Sequence, residues 1–398
     1  MAKQNLIPTV LLLSCALLGG YGAMYTSFRD GFFDALRDCV YPSPTKPSHC
    51  TLHAPHASQM PKFTGVPFLD ENFALLVEFF QQGLPRMNPG GIESFEDIVA
   101  TLCWTSQYGA IWTMISLEGL RKGNQGTAAA YTGLWGMMFQ LLTVTIFSPI
   151  YYISQLYSSP AQISQAHAAV DIEDLEALPK TIALTYLLPT LGLILPLFGL
   201  MSPKASYYAI SVWQLFPLLK SAFHPLMRSG RTLKVSKEGE KNIVVDQRGD
   251  GYKRALNRVY RFALLLAAST YFLHFSSVLL KSQSSLSATL KGFFIPGSLS
   301  HPPTFALFNP PVSASAGQDI VITFLKWDLY CAGAALLIWS STHASRVLGG
   351  SEMSRTIAKF LPLMALGGPV ATAVALLRQR DMKLLATPIA TSSGRKNK

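Results

Sequence analysis

Long, nearly uninterrupted runs of apolar residues decide what this chain can fold into. They occupy positions near 5–24, 98–119, 127–156, 181–201, 206–226, 257–280, 320–341 and 356–377. Within them the apolar residues do not alternate with polar ones as a soluble element requires. Runs of roughly 18 to 25 residues suffice to cross about 30 Å of hydrocarbon as helices. Every backbone N–H and C=O in hydrocarbon must be paired within its own segment, so the runs are read as helices rather than strands. The expected fold class is therefore all-α: a polytopic membrane helix bundle with about eight transmembrane helices, forming one integral membrane domain over residues 1–398. The first run follows Lys3 and could pass for a signal peptide, but it continues through Gly19-Gly20-Tyr21-Gly22-Ala23 and is read as a retained span.

Charge supports this class. Only 14% of residues are charged, against about 25% in ordinary soluble chains. The net charge of +11 does not point to nucleic acid, because Lys and Arg sit mainly between and beyond the apolar runs. There they serve lipid headgroups and topology. Tyr151, Tyr152, Tyr207, Tyr208 and Trp339, near run ends, suit the membrane interface. The segment 69–85 is shorter and more acidic. Leu75, Leu76, Phe79 and Phe80 share one helical face there, as expected of an amphipathic or re-entrant helix. Loops are expected over 25–68, 227–256 and 282–318. A cytosolic tail is expected from Arg378, Arg380, Lys383, Arg395, Lys396 and Lys398. Loop 227–256 is equally basic, and a count of eight spans places it on the opposite side. Either a span is miscounted or the charge rule is overridden. The expected location is the endoplasmic reticulum, multi-pass.

Ionisable groups within a bilayer are costly and usually functional, so they head the candidate catalytic residues. Asp328 follows Trp327 in the 320–341 run, and Glu118 ends the 98–119 run with Gln107 three turns earlier. Asp30, Asp34 and Asp38 recur at i, i+4 and i+8, nearly one helical face. Carboxyls so close repel, so at least one should hold its proton tightly enough to act as a donor. The plainer reading is a surface helix in which Arg29 and Arg37 compensate the acids. Trp104, Tyr108 and Trp112 form an aromatic stripe; with Trp135, Trp327 and mid-run His274 they are candidate substrate-binding residues. Packing is the rival role for each of them.

The group His49, Cys50, His53 and His56 matches no familiar zinc spacing, and Pro47 and Pro55 interrupt it. No metal site and no cofactor are expected. P-loop, H-E-x-x-H and G-x-S-x-G motifs are absent. So is the aspartate-rich motif that holds magnesium and diphosphate in soluble terpene synthases. Cys15, Cys103 and Cys331 lie in apolar runs as packing residues, whereas Cys39 and Cys50 share the first long loop and could pair in an oxidising compartment.

Gly20-Tyr21-Gly22-Ala23-Met24-Tyr25, running into Phe28-Arg29-Asp30-Gly31-Phe32-Phe33-Asp34-Ala35, resembles the start of fungal membrane-bound terpene cyclases of the ascofuranone type. Pro85-Arg86-Met87-Asn88-Pro89-Gly90-Gly91 and the spacing of the apolar runs extend the likeness over most of the chain. That family also embraces macrophorin-type cyclases and membrane proteins of indole-diterpene clusters. The resemblance implies metal-independent cyclisation of the farnesyl-type chain of a meroterpenoid, begun by protonating an epoxide or a terminal alkene. It implies a hydrophobic prenylated phenol or quinone-like partner, a lipid bilayer, and other pathway enzymes at the same membrane. It supplies no catalytic motif, so the site residues rest on the physical reading alone. Two alternatives stand beside it: an intramembrane aromatic prenyltransferase, which the Asp30, Asp34, Asp38 spacing faintly resembles, and a small-molecule transporter.

Overall fold

A computed structural model of the chain describes residues 2–29, 31–41, 64–84, 87–88, 91–92, 95–195, 200–228, 249–281, 285–287, 290, 293 and 314–387. Asp30, the His49–His56 group and most of the three loops lie outside the described residues. The fold is all-helical apart from a two-residue antiparallel pair, Met87–Asn88 with Gly91–Ile92, among the described residues. Five helices are long and apolar enough to cross a membrane: Asn5–Arg29, Gln165–Ile194, Asp250–Leu280, Ile320–Ser345 and Gly350–Ala386. Their outward faces present Leu6, Ile7, Leu17, Phe272 and Leu361, while Leu12, Val259, Ala267, Leu336 and Val374 fill the interior. An apolar exterior over an apolar core is what burial in hydrocarbon requires.

Helix α1 (Ala2–Gly19) continues through a π-helical stretch, Gly20–Tyr25. Gly31, with φ 80°, then reverses the chain into α2 (Phe32–Val40). Helix α3 (Pro67–Gly83) is the expected amphipathic segment, and it packs into the bundle beside α2 and α11. Helix α4 (Phe95–Gly119) is long and central. The run 127–156 is not one helix. It forms α5 (Thr132–Leu142) and α6 (Val144–Ser158), separated at Thr143 with φ 84°. A β-branched residue in that region is a genuine outlier, held only by its surroundings. Helix α7 (Ile172–Ile182) passes through a second π-helical stretch, Ala183–Leu187. The run 206–226 likewise splits at Leu215 into α8 (Pro203–Gln214) and α9 (Phe216–Met227), where Pro217 in the first turn of α9 cannot continue the preceding helix. Helices α10 (Asp250–Leu264) and α11 (Ala314–Ser345) complete the interior.

The last element, α12 (Gly350–Ala386), resolves the charge conflict. Gly368 adopts φ 79° and ψ 178°, a region open essentially to glycine alone, and Pro369 follows it. The chain doubles back there. Lys383 Nζ lies 3.0 Å from Glu352 Oε2, whereas a straight helix would hold those residues roughly 46 Å apart. The run 356–377 is thus the bend of a helical hairpin. Its end is tied to Gln165, whose amide donates to Leu384 O and to Thr387 O. Arg228, at the start of the basic segment 227–256, meets Asp174 at 3.2 Å, and Tyr252, near its end, accepts from Val170 N–H. Both borders of the loop and the start of the tail therefore share one end of the bundle, called here the polar end. Tyr151, Tyr152 and Trp339 are fully buried, with Tyr152 stacked on Trp339 at 4.9 Å. They pack the interior rather than anchoring an interface.

Candidate active site

A cavity of about 350 Å³ opens between α2, α3, α4, α11 and the α5–α6 break. That volume lies within the roughly 300–1,000 Å³ typical of small-molecule sites. Its walls are mostly hydrocarbon and aromatic. The apolar face of α3 contributes Leu75, Leu76, Phe79 and Phe80, and α2 turns Phe33 and Leu36 inward. Helix α4 presents Tyr108, Ile111, Trp112 and Ile115 at helical spacing, running from the middle of the cavity to its floor. Trp213 and Phe216 arrive from either side of the Leu215 break, with Phe80 edge-on to Trp213 at 5.1 Å.

Among the described residues Asp328 is the one carboxyl that lines this cavity. Helix α11 carries it on the same face as Phe324 and Leu325. The carboxyl is 7% exposed, and its Oδ1 accepts the Thr145 backbone N–H at 2.9 Å. The α5–α6 break explains this contact. Interrupting the helix at Thr143 frees the first N–H groups of α6, and Asp328 caps them from another helix. Tyr108 and Thr143 face the same carboxyl, and the Tyr108 phenol also donates to Leu325 O at 3.3 Å. Trp327, beside the acid in sequence, does not line the cavity. It packs on the π-helical stretch, where a Cβ at Gly22 would lie 2.6 Å from its ring.

Of the residues singled out from sequence, the structure gathers Asp328, Tyr108 and Trp112 at the cavity. The others are dispersed. Asp34 and Asp38 are exposed on α2, opposite the buried Phe32, Leu36 and Cys39. Glu118 lies one turn beyond Ile115, beneath the cavity floor, in a buried ion cluster. Its Oε1 meets Arg380 at 2.9 Å and Arg121 at 2.7 Å. Asp381 meets the same two arginines at 2.8 Å each and accepts the Tyr260 hydroxyl at 2.6 Å. Trp135 rests edge-on against Tyr151, and its indole N–H donates to Ala128 O. His274 stands against Phe293 at 5.2 Å, and Trp104 is buried on α4. The sequence reading missed Trp213, Phe216, Tyr186 and Gln140 as cavity residues; their positions depend on breaks and π-helical stretches that shift the helical phase. Cys39 is disulfide-bonded, with its partner outside the described residues. No group of three or more His, Cys, Asp or Glu that could hold a metal occurs among the described residues.

A hydrocarbon chamber with one carboxyl and several aromatic faces can accept an oily chain, supply a proton to it and stabilise positive charge within it. Residues 8–385 match the family model of the CtvD domain. The chain is 24% identical over 339 residues to terpene cyclase ascI of Acremonium egyptiacum, covering 81% of this chain and 79% of that one. It is 24% identical over 216 residues to terpene cyclase ctvD of Aspergillus terreus, covering 53% and 58% respectively. With terpene cyclase atmA of Aspergillus flavus it shares 20% identity over 383 residues, 93% of this chain and 96% of that one. No solved structure matches.

Proposed function

Because the chain belongs to the CtvD domain family, we propose that it is a membrane-bound terpene cyclase of fungal secondary metabolism whose proton donor is Asp328. The substrate is a prenylated phenol or quinone-like molecule with a farnesyl-type chain, and the trigger is protonation of its epoxide or terminal alkene. One observation carries the assignment: among the described residues a single carboxyl faces the aromatic-lined cavity.

The chamber's own groups account for each stage. An isoprenoid partitions into lipid, and the cavity is rimmed by outward-facing Phe28, Leu141 and Leu142, 61%, 49% and 41% exposed, so a chain enters sideways from hydrocarbon. Asp328 is placed within the chamber, so its carboxyl, when protonated, can donate directly to a bound chain. Once the proton has moved to the substrate, the Thr145 N–H and the positive end of α6 stabilise the carboxylate left behind. Trp112, Phe80, Trp213 and Phe216 offer ring faces to the migrating cation, each worth of order 0.5–2 kcal/mol. The apolar walls keep out water that would quench the cation early. A substrate hydroxyl, or loss of a proton back to Asp328, ends the sequence with mass unchanged.

The disulfide at Cys39 fits an oxidising lumen at the α2 end. The basic polar end then faces the cytosol, in accord with the positive-inside rule. We accordingly infer a multi-pass protein of the endoplasmic reticulum. The prenyltransferase and transporter readings have no observation in their favour. The test is to incubate the protein, in lipid nanodiscs, with a farnesylated phenol and with its terminal epoxide. A product equal in mass to its precursor, absent with Asp328→Asn, is expected; unchanged substrate with the native chain overturns the assignment.

A further inference from the structure

The cavity does not end at the acid. Tyr108 lies beside Asp328; Trp112 and Ile115 follow on α4, about 6 Å and 10 Å further along the axis. Between Tyr108 and Ile115 the Trp112 indole lines the cavity, held edge-to-face by Phe216 at 5.2 Å and Phe139 at 6.4 Å. The position of that indole therefore sets how much of the cavity beyond Asp328 is open to a chain.

Gly136 on α5 sets the position of the indole. A Cβ at Gly136 would lie 2.6 Å from Trp112 Cη2 and 2.5 Å from Pro217 Cβ, both closer than any packed carbons approach. Pro217 is locked into the first turn of α9 and has no side-chain rotation to give. Trp112 is the group that can turn. With Phe139 and Phe216 filling its flanks, the space open to it is the cavity. Glycine thus lets the indole retreat, and any larger residue would drive it toward the acid.

We propose that Gly136 is a specificity-determining residue: by holding Trp112 back it sets the length of isoprenoid chain that the chamber accepts. The proposal rests on the cyclase reading for the kind of ligand, but its test reads binding and is independent of turnover. The probes are two phenols bearing fully saturated prenyl chains of fifteen and ten carbons, which no acid can cyclise. Affinity for each is measured with the full chain in nanodiscs of fixed lipid composition. Gly136→Ala should lower the preference for the longer chain by at least about tenfold, the least that a single excluded methylene causes in a tight apolar pocket. Equal losses for both probes would reduce Gly136 to a packing residue and overturn the proposal, as would an unchanged preference or no binding by the native chain.

Trp112→Phe provides a second route should the alanine variant fail to fold. It removes the ring edge that meets position 136, so relative affinity for a twenty-carbon chain should rise. Combined with Gly136→Ala, it should return the fifteen-to-ten preference to within about threefold of native, well inside the loss expected of the single variant. A Trp112 variant that leaves chain-length preference where it was also sinks the idea. If the binding preferences shift as expected while no probe with a reactive chain is cyclised, the cyclase assignment fails and the depth control stands.

Discussion

Replacing Arg380 by Met separates the structural and chemical roles of the buried ion cluster. In the native chain Glu118, Arg121, Arg380 and Asp381 carry two negative and two positive charges, all fully buried. Removing Arg380 leaves Arg121 between two carboxylates, one net charge in the buried interior. Breaking a buried pair in this way costs about 3–5 kcal/mol, most of it the desolvation of the orphaned ion. Glu118→Gln should cost a similar amount, leaving one net positive charge, since Arg121 and Arg380 then share Asp381. The double variant restores neutrality, because Arg121 keeps its 2.8 Å contact with Asp381. It should be less destabilised than the sum of the single variants by at least about 2 kcal/mol, within the range of directly contacting pairs. Thermal unfolding of the four proteins in one detergent measures this; for a chain this long roughly 2 °C accompanies each kcal/mol, so the cycle should close with a coupling of about 4 °C. Turnover should recover with stability in the double variant. Additive losses would refute the charge-balance argument. A double variant that is stable yet inactive would move Glu118 from architecture to chemistry.

Asp328→Asn should preserve the fold, because its amide oxygen can still accept the Thr145 N–H, and should lower turnover by about 10²–10⁴, the usual weight of a general acid; product formation per folded protein measures it. Gly368→Ala should destabilise the chain by about 3 kcal/mol or more, since alanine is strained at φ 79° and its methyl would meet the Tyr271 ring at 2.7 Å; a fall in unfolding midpoint without a change in KM checks this. Cysteines introduced at Arg228 and Thr387 should react with an impermeant thiol reagent from the same side of sealed vesicles; modification from opposite sides would exclude the hairpin of α12.

The helical class was legible because apolar runs of membrane length leave few other folds open. The inward face of α3 was also legible, since Leu75, Leu76, Phe79 and Phe80 already share a helical side in the sequence. Asp328 stood out as an ionisable residue within an apolar run, and Tyr108 and Trp112 by their spacing. Other features arise only from tertiary contact. Nothing near Thr143 signals a break, for there is no glycine or proline at that point; the carboxyl that caps Thr145 after the break lies 183 residues beyond Thr145. The ion cluster around Glu118 was hidden because Arg380, which joins Arg121 in neutralising it, lies 262 residues on. The Asp30, Asp34, Asp38 pattern illustrates the opposite error. Regular spacing fixes which residues share a face, but not whether that face turns inward, and the buried Phe32 and Leu36 orient α2 so that Asp34 and Asp38 point out. The Gly367-Gly368-Pro369 signal was present in plain view, yet the hydropathy of the surrounding run concealed it.

The interruption at Thr143 ties the fate of the reactive group to that of the scaffold. Position 328 cannot drift freely even in a descendant that no longer performs the reaction, because an alkyl side chain there would leave amide hydrogens bare in the interior. Asparagine keeps an oxygen at the required reach, so the road from a working protein to a silent but intact one runs through a single narrow exchange.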